Sequence, residues 1–183
     1  MDRYQWIETT GGPQILIPQS ARSAWRGVPE AFDPDHRDTW GDYGLACSVS
    51  TYIGIVEHSG VEVLVLGDMA APTTYIQDMR MLVRWYGADS EKELLAAANR
   101  SASNRQLDEQ LTWNVAGPVE FFNSALDGAT VSVNSRLSIS LDRGRYRVSA
   151  AYFDDDWTAG VAVVCSPEAG DVISRAGAAV LSR

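Results

Sequence analysis

Three adjacent carboxylates, Asp154, Asp155 and Asp156, stand directly before Trp157. Oxygen ligands of this kind could hold Ca²⁺. On extended backbone, however, neighbouring side chains point to alternating sides, so the three do not converge on one ion. Two readings remain: a solvated loop, or an acidic loop presented to a partner and anchored by Trp157. Asp68 follows the run Val63-Leu64-Val65-Leu66-Gly67. A carboxylate at a strand end could serve a hydrolase if a second acid stood at a defined separation. Nothing in the sequence marks that second acid, and a turn cap or structural hydrogen bond is the alternative. The two histidines, His36 and His58, both fall in loop-like stretches, and a zinc site or a histidine-based triad would need distant partners. Cys47 lies among Leu45, Ala46 and Val49, surroundings that make a thiol unreactive. No nucleophile elbow, phosphate loop or dinucleotide glycine pattern occurs. No catalytic residue, metal ligand or cofactor is assigned.

Aromatic residues beside acids offer a different chemistry, that of protein recognition. Of the six tryptophans, Trp25, Trp40 and Trp157 lie in or beside loop-like stretches. A tryptophan next to aspartate anchors interfaces, although it can equally roof a small core. In Trp40-Gly41-Asp42-Tyr43, acid and aromatic alternate, which makes this the best single candidate.

The charges are distributed unevenly. The formal net charge is −9. From Asp38 to Met79 the acids are Asp38, Asp42, Glu57, Glu62, Asp68 and Asp78, with no lysine or arginine among them. From Val148 to Ser174 they are Asp154, Asp155, Asp156, Glu168 and Asp171, again without a base. Such surfaces repel phosphate backbones, which argues against nucleic acid as a partner. They favour capture of a basic protein, with plain solubility as the bland alternative.

These residues need a scaffold. The chain has 183 residues, enough for one domain with a full core. No apolar run approaches the roughly 20 residues of a membrane-spanning helix. The start, Met1-Asp2-Arg3-Tyr4-Gln5-Trp6, lacks the pattern of a signal peptide, so a cytoplasmic protein with two reduced thiols, Cys47 and Cys165, is expected. Tyr52 to Val56 and Val61 to Leu66 read as a hairpin turning at His58-Ser59-Gly60. The return strand is apolar on both faces and should be central. Met81 to Tyr86 reads as a third strand in the middle of the same sheet. Leu137, Ile139 and Leu141, then Tyr146, Val148 and Ala150, alternate with polar residues around Asp142-Arg143-Gly144, and read as a second hairpin. Further strands are expected at Tyr4 to Thr9, Gln14 to Ile17, Leu111 to Val115 and Gly160 to Val164. Ser90-Glu91-Lys92-Glu93 has the form of a capping box and opens a helix from Glu91 to Arg100. Gly27 to Tyr43, with Pro29 and Pro34, is a long loop. The expectation is an α+β domain over 1–183, mostly antiparallel sheet with about nine strands, one clear helix and short helical turns, divisible into sub-sheets at about 1–105 and 106–183.

Several segments together resemble the immunity protein 21 family of bacterial polymorphic toxin systems. They are Trp6-Ile7-Glu8, Gly11-Gly12-Pro13-Gln14-Ile15-Leu16-Ile17-Pro18, Trp25-Arg26-Gly27, Asp42-Tyr43-Gly44-Leu45-Ala46-Cys47, Val63-Leu64-Val65-Leu66-Gly67-Asp68 with Pro72-Thr73, and Leu82-Val83-Arg84-Trp85. The match is looser at Phe121-Phe122-Asn123-Ser124-Ala125 and Gly144-Arg145-Tyr146-Arg147-Val148. Met69 stands where a second acid is expected, and Gly44 where a polar residue is expected. The resemblance implies a cytosolic antidote that binds a cognate toxin domain stoichiometrically, without a reaction or cofactor. The acidity of the chain makes a basic toxin the expected partner. Trp40, Asp42, Tyr43, Asp154, Asp155, Asp156 and Trp157 are the expected toxin-facing residues. The alternatives are a small-ligand or carbohydrate-binding sheet module with stacking tryptophans, and a hydrolase using Asp68.

Overall fold

The computed structural model describes residues 4–9, 11–67, 71–103, 108–155 and 157–168. The strands are β1 Gln14–Pro18, β2 Ile53–His58, β3 Val61–Leu66, β4 Thr73–Ile76, β5 Met81–Gly87, β6 Glu109–Val115, β7 Val119–Asn123, β8 Arg136–Ile139, β9 Gly144–Asp155 and β10 Thr158–Pro167. The helices are α1 Gly41–Ala46 and α2 Glu91–Ser103, with 3₁₀ turns at Arg22–Ala24, Arg37–Thr39, Gln77–Met79 and Val133–Ser135. The strands form two five-stranded sheets, in the orders β2-β3-β1-β7-β8 and β4-β5-β10-β9-β6. Every strand pair is antiparallel. The fold is therefore α+β and dominated by antiparallel sheet, as the alternation in the sequence implies.

The layers follow from which faces are apolar. Leu16, Leu64, Leu66, Phe121 and Ile139 of the first sheet meet Leu82, Trp113, Val148, Val161 and Val163 of the second across a shared core. On the outer face of the first sheet, Ile15, Ile17, Val63, Val65 and Phe122 are covered by Trp25 and by Ala46 of α1. On the outer face of the second, Met81, Val83, Phe153 and Ala162 are covered by Leu94, Ala97 and Ala98 of α2. The strand β3 is thus buried on both sides, its valines outward and its leucines inward. Each fully buried leucine or valine contributes roughly 1.5–3 kcal/mol, so β3 anchors two of the three clusters. Its hairpin with β2 closes through Ser59 and Gly60, both left-handed at φ 51° and 77°. The Oγ of Ser90 accepts the amide N–H of Glu93 at 3.3 Å, which caps α2 as its sequence suggests.

The pairing departs from the expectation in several places. The strand β5 does not join β2 and β3; it lies in the second sheet between β4 and β10, while β1 takes the free edge of β3. The segments on either side of Asp142-Arg143-Gly144 are not a hairpin. The strand β8 pairs with β7 in the first sheet, and β9 pairs with β6 and β10 in the second. Their alternation is real, because Ile139 and Leu141 face the shared core from one side and Tyr146, Val148 and Ala150 from the other. Alternation fixes the face a strand buries, not the neighbour it bonds, and the connection crosses between layers. Neither sheet is built from one half of the chain, so a division near residue 105 does not describe them. Tyr4 to Thr9 makes one isolated bridge, Ile7 to Thr73, in place of a strand. Asp154 and Asp155 are not in a loop; they end β9, where Asp155 pairs with Thr158 of β10.

Candidate protein-binding surface

The predicted residues fall into two groups. Trp40, Asp42 and Tyr43 ride on α1, over the outer face of the first sheet. The Trp40 ring lies 5.6 Å from Phe32 and 6.1 Å from Tyr43, centroid to centroid. Its indole N–H donates to the carbonyl of Asp33 at 2.7 Å, and the Arg37 guanidinium sits over its ring at 5.3 Å. One oxygen of Asp42 accepts the amide N–H of Arg26 at 2.6 Å, and the other lies 3.2 Å from His58 Nε2. Tyr43 covers Gly12, where an added Cβ would lie 2.7 Å from its hydroxyl. These side chains fasten the loop 27–43 to the end of β2. The other histidine, His36, is exposed and lies 3.9 Å from Asp33.

The second group sits at the far end of β9. Asp155 points to the α2 side, where its carboxylate meets Arg100 at 3.0 Å. Asp154 points the other way and accepts from the Tyr152 hydroxyl at 3.3 Å. Trp157 is 86% exposed and Tyr152 39%. Asp156 and Asp68 lie outside the described residues.

The packing of the sheets adds residues that the sequence did not single out. The Tyr52 and Tyr152 rings are parallel within 3° at 6.3 Å, and Tyr86 stands 6.4 Å from Tyr152. Tyr52 precedes β2, Tyr86 ends β5 and Tyr152 lies on β9, so strands from both sheets bring them together at the open end of the sandwich. Their alternation with core residues disguises them as core positions. Burial raises the Tyr86 phenol above its ordinary value, and desolvation with the adjacent Asp154 raises that of Tyr152, so both remain neutral donors at physiological pH. The Asp108 carboxylate accepts the Tyr152 amide N–H at 2.6 Å. Glu109 accepts the amides of Tyr52 and Ile53 at 3.0 and 2.9 Å, which ties β6 to the start of β2. Glu62 performs the same service further along the edge, accepting the Asn114 amide at 2.7 Å. Of the acids without bases nearby in sequence, Asp42 and Glu62 thus meet backbone donors and Asp155 a distant arginine in space.

Trp25 is not a loop anchor. It is fully buried, with its indole N–H on the carbonyl of Ser124 at 2.8 Å. Among the described residues, no group of three or more His, Cys, Asp or Glu side chains is placed to hold a metal. A surface depression is lined by Arg147, Ser166, Pro167 and Glu168, without an aromatic wall for a sugar to stack on. Among the described residues, no helix is long and apolar enough to cross a membrane.

The family described as immunity protein 21 matches residues 5–158. The chain belongs to the immunity protein 21 family. No curated protein and no solved structure was found to match it. Both aromatic groups of this immunity protein 21 chain lie within the matched span, which takes in β1 to β9 and the turn into β10.

Proposed function

We infer that this chain is the antidote of a toxin–immunity pair. It binds the toxin domain in a stoichiometric complex and blocks it without transforming it. The observation that carries this reading is the family match over residues 5–158. The charge supports a basic partner, because a net charge of −9 speeds the capture of a cationic protein and disfavours nucleic acid. The toxin would be met in the cytoplasm, before it reaches its target. Paired strands and carboxylates bonded to backbone amides suit a protein that presents a preformed surface, since little ordering then opposes binding.

The test is co-expression. Cells that make the toxin domain encoded beside this chain should survive only when the chain is made in at least equal amount. The two should elute as one complex of fixed ratio. Death of cells that contain abundant folded antidote would overturn the reading.

A further inference from the structure

Two exposed aromatic groups could meet a partner, and their local chemistry separates them. In the group on α1 the partners are already internal. Arg37 lies over the Trp40 ring, the indole N–H is bonded to Asp33, and both oxygens of Asp42 face Arg26 and His58. A cation arriving there would have to displace a resident one.

The group at the open end of the sandwich is built to face outward. Trp157 and Tyr152 are among the most exposed large apolar side chains of the described residues. Tyr152 is fixed in register against Val161, and Trp157 directly precedes Thr158, which pairs with Asp155, so the strand ends that carry the rings are held in place. Carboxylates stand beside them. Asp154 is exposed and bonded to the Tyr152 hydroxyl, and Asp108 is fixed on the Tyr152 amide. Of the neighbouring arginines, one is fully buried and the other lies on the opposite face of β9. The guanidinium of Arg100 lies with Asp155 on the helix side, and that of Arg84 is buried on the carbonyl of Gly67. Tyrosine and tryptophan faces beside carboxylates match the chemistry of a guanidinium or ammonium group.

Resting on the antidote reading, we propose that the toxin docks at this end of the sandwich. Tyr152, Asp154 and Trp157, flanked by the half-buried Tyr52 and Tyr86, receive an arginine- or lysine-bearing segment of the toxin, whose cation stacks on the two exposed rings and pairs with Asp154.

An inactive form of the toxin domain encoded beside this chain is titrated calorimetrically with the full-length chain, and association rates are followed at two salt concentrations. Trp157→Ala and Asp154→Lys should each weaken binding by about tenfold or more, the latter chiefly through slower association. Phe32→Ala, in the other aromatic group, should leave Kd within about threefold. Trp157 is so exposed that its truncation should leave Tm unchanged, which separates a lost contact from a lost fold. If the wild-type chain binds tightly and both variants bind equally tightly, the surface is overturned while the antidote reading stands. The same holds if Phe32→Ala is the variant that weakens binding. If the wild-type chain does not bind the toxin, the antidote reading falls and the surface assigned to it falls too.

Discussion

The guanidinium of Arg84 donates to the carbonyl of Gly67 across 2.8 Å, joining β5 of the second sheet to the end of β3 in the first. Arg84 is completely buried, so this bond holds the two layers at the end where the tyrosines gather. Arg84→Met should destabilise the fold by about 3 kcal/mol, since it strands a buried carbonyl and replaces a charged donor network with a flexible thioether. Lysine should rescue little, because a single ammonium cannot reproduce the planar fork. Urea denaturation of the three proteins checks the order.

Cys165 lies in the core between the sheets, and burial pushes its thiol up to about 12. Its protonated form is favoured in the folded state, so the stability it contributes is complete below the ordinary thiol value of 9.0 and is lost as pH rises from there toward 12. The loss approaches ~1.4 kcal/mol per pH unit once the unfolded thiol is ionised. The urea midpoint should therefore fall between pH 9 and 10, and Cys165→Ala should flatten that fall. Cys47 is only half-buried, not enclosed as its apolar neighbours imply, so native protein should be alkylated there first, with Cys165 reacting only on unfolding.

The faces of this protein were more legible than its pairings. Val63 and Val65 against Leu64 and Leu66 announce a strand covered twice, and the structure buries all of them. The motif at Ser90 to Glu93 announces α2 because a cap is a local event. Ile139 and Tyr146 carry a weaker signal. Each obeys a period of two, but whether they share a sheet depends on where β7 and β6 lie, and that is set by contacts outside the segment itself. The site suffers from the same limit. Asp154 and Trp157 are visible as a dense local signal. Tyr52, Tyr86 and Tyr152 are visible only once three strands from two sheets meet. Trp25 shows the converse: a loop tryptophan whose buried role comes from a carbonyl 99 positions away.

Ser59 takes the first left-handed position of the β2–β3 turn, at φ 51°. A hydroxymethyl side chain has no special tolerance for that region, whereas asparagine does. Ser59→Asn should stabilise the protein by about 0.5 kcal/mol, a rise of roughly 1–2 °C in Tm. Ser59→Val should lower Tm, because a β-branched residue is strained at positive φ. Thermal unfolding of both variants tests whether the turn keeps this geometry in solution.

Two ion pairs of similar length should differ greatly in worth. Arg136 Nε lies 2.8 Å from Glu120, and the Glu120 side chain is almost wholly inaccessible. The second oxygen of Glu120 accepts from Ser138 at 3.0 Å and from Gln19 at 3.3 Å, so the carboxylate serves three partners from β8 and the loop after β1. Glu120→Ala removes the acceptor and leaves the Arg136 cation in a poorly solvated place, which should cost about 3–5 kcal/mol. Glu120→Gln keeps an acceptor oxygen and should cost less. Arg100 and Asp155 meet at 3.0 Å but are mostly exposed, so solvent screens their attraction and two mobile side chains must be held still. Asp155→Ala should therefore change stability by less than about 1 kcal/mol, and added salt should erase the difference. If the two alanine variants proved equally stable in urea, burial would not be what separates these pairs, and the packing described for β7 against β8 would be in error.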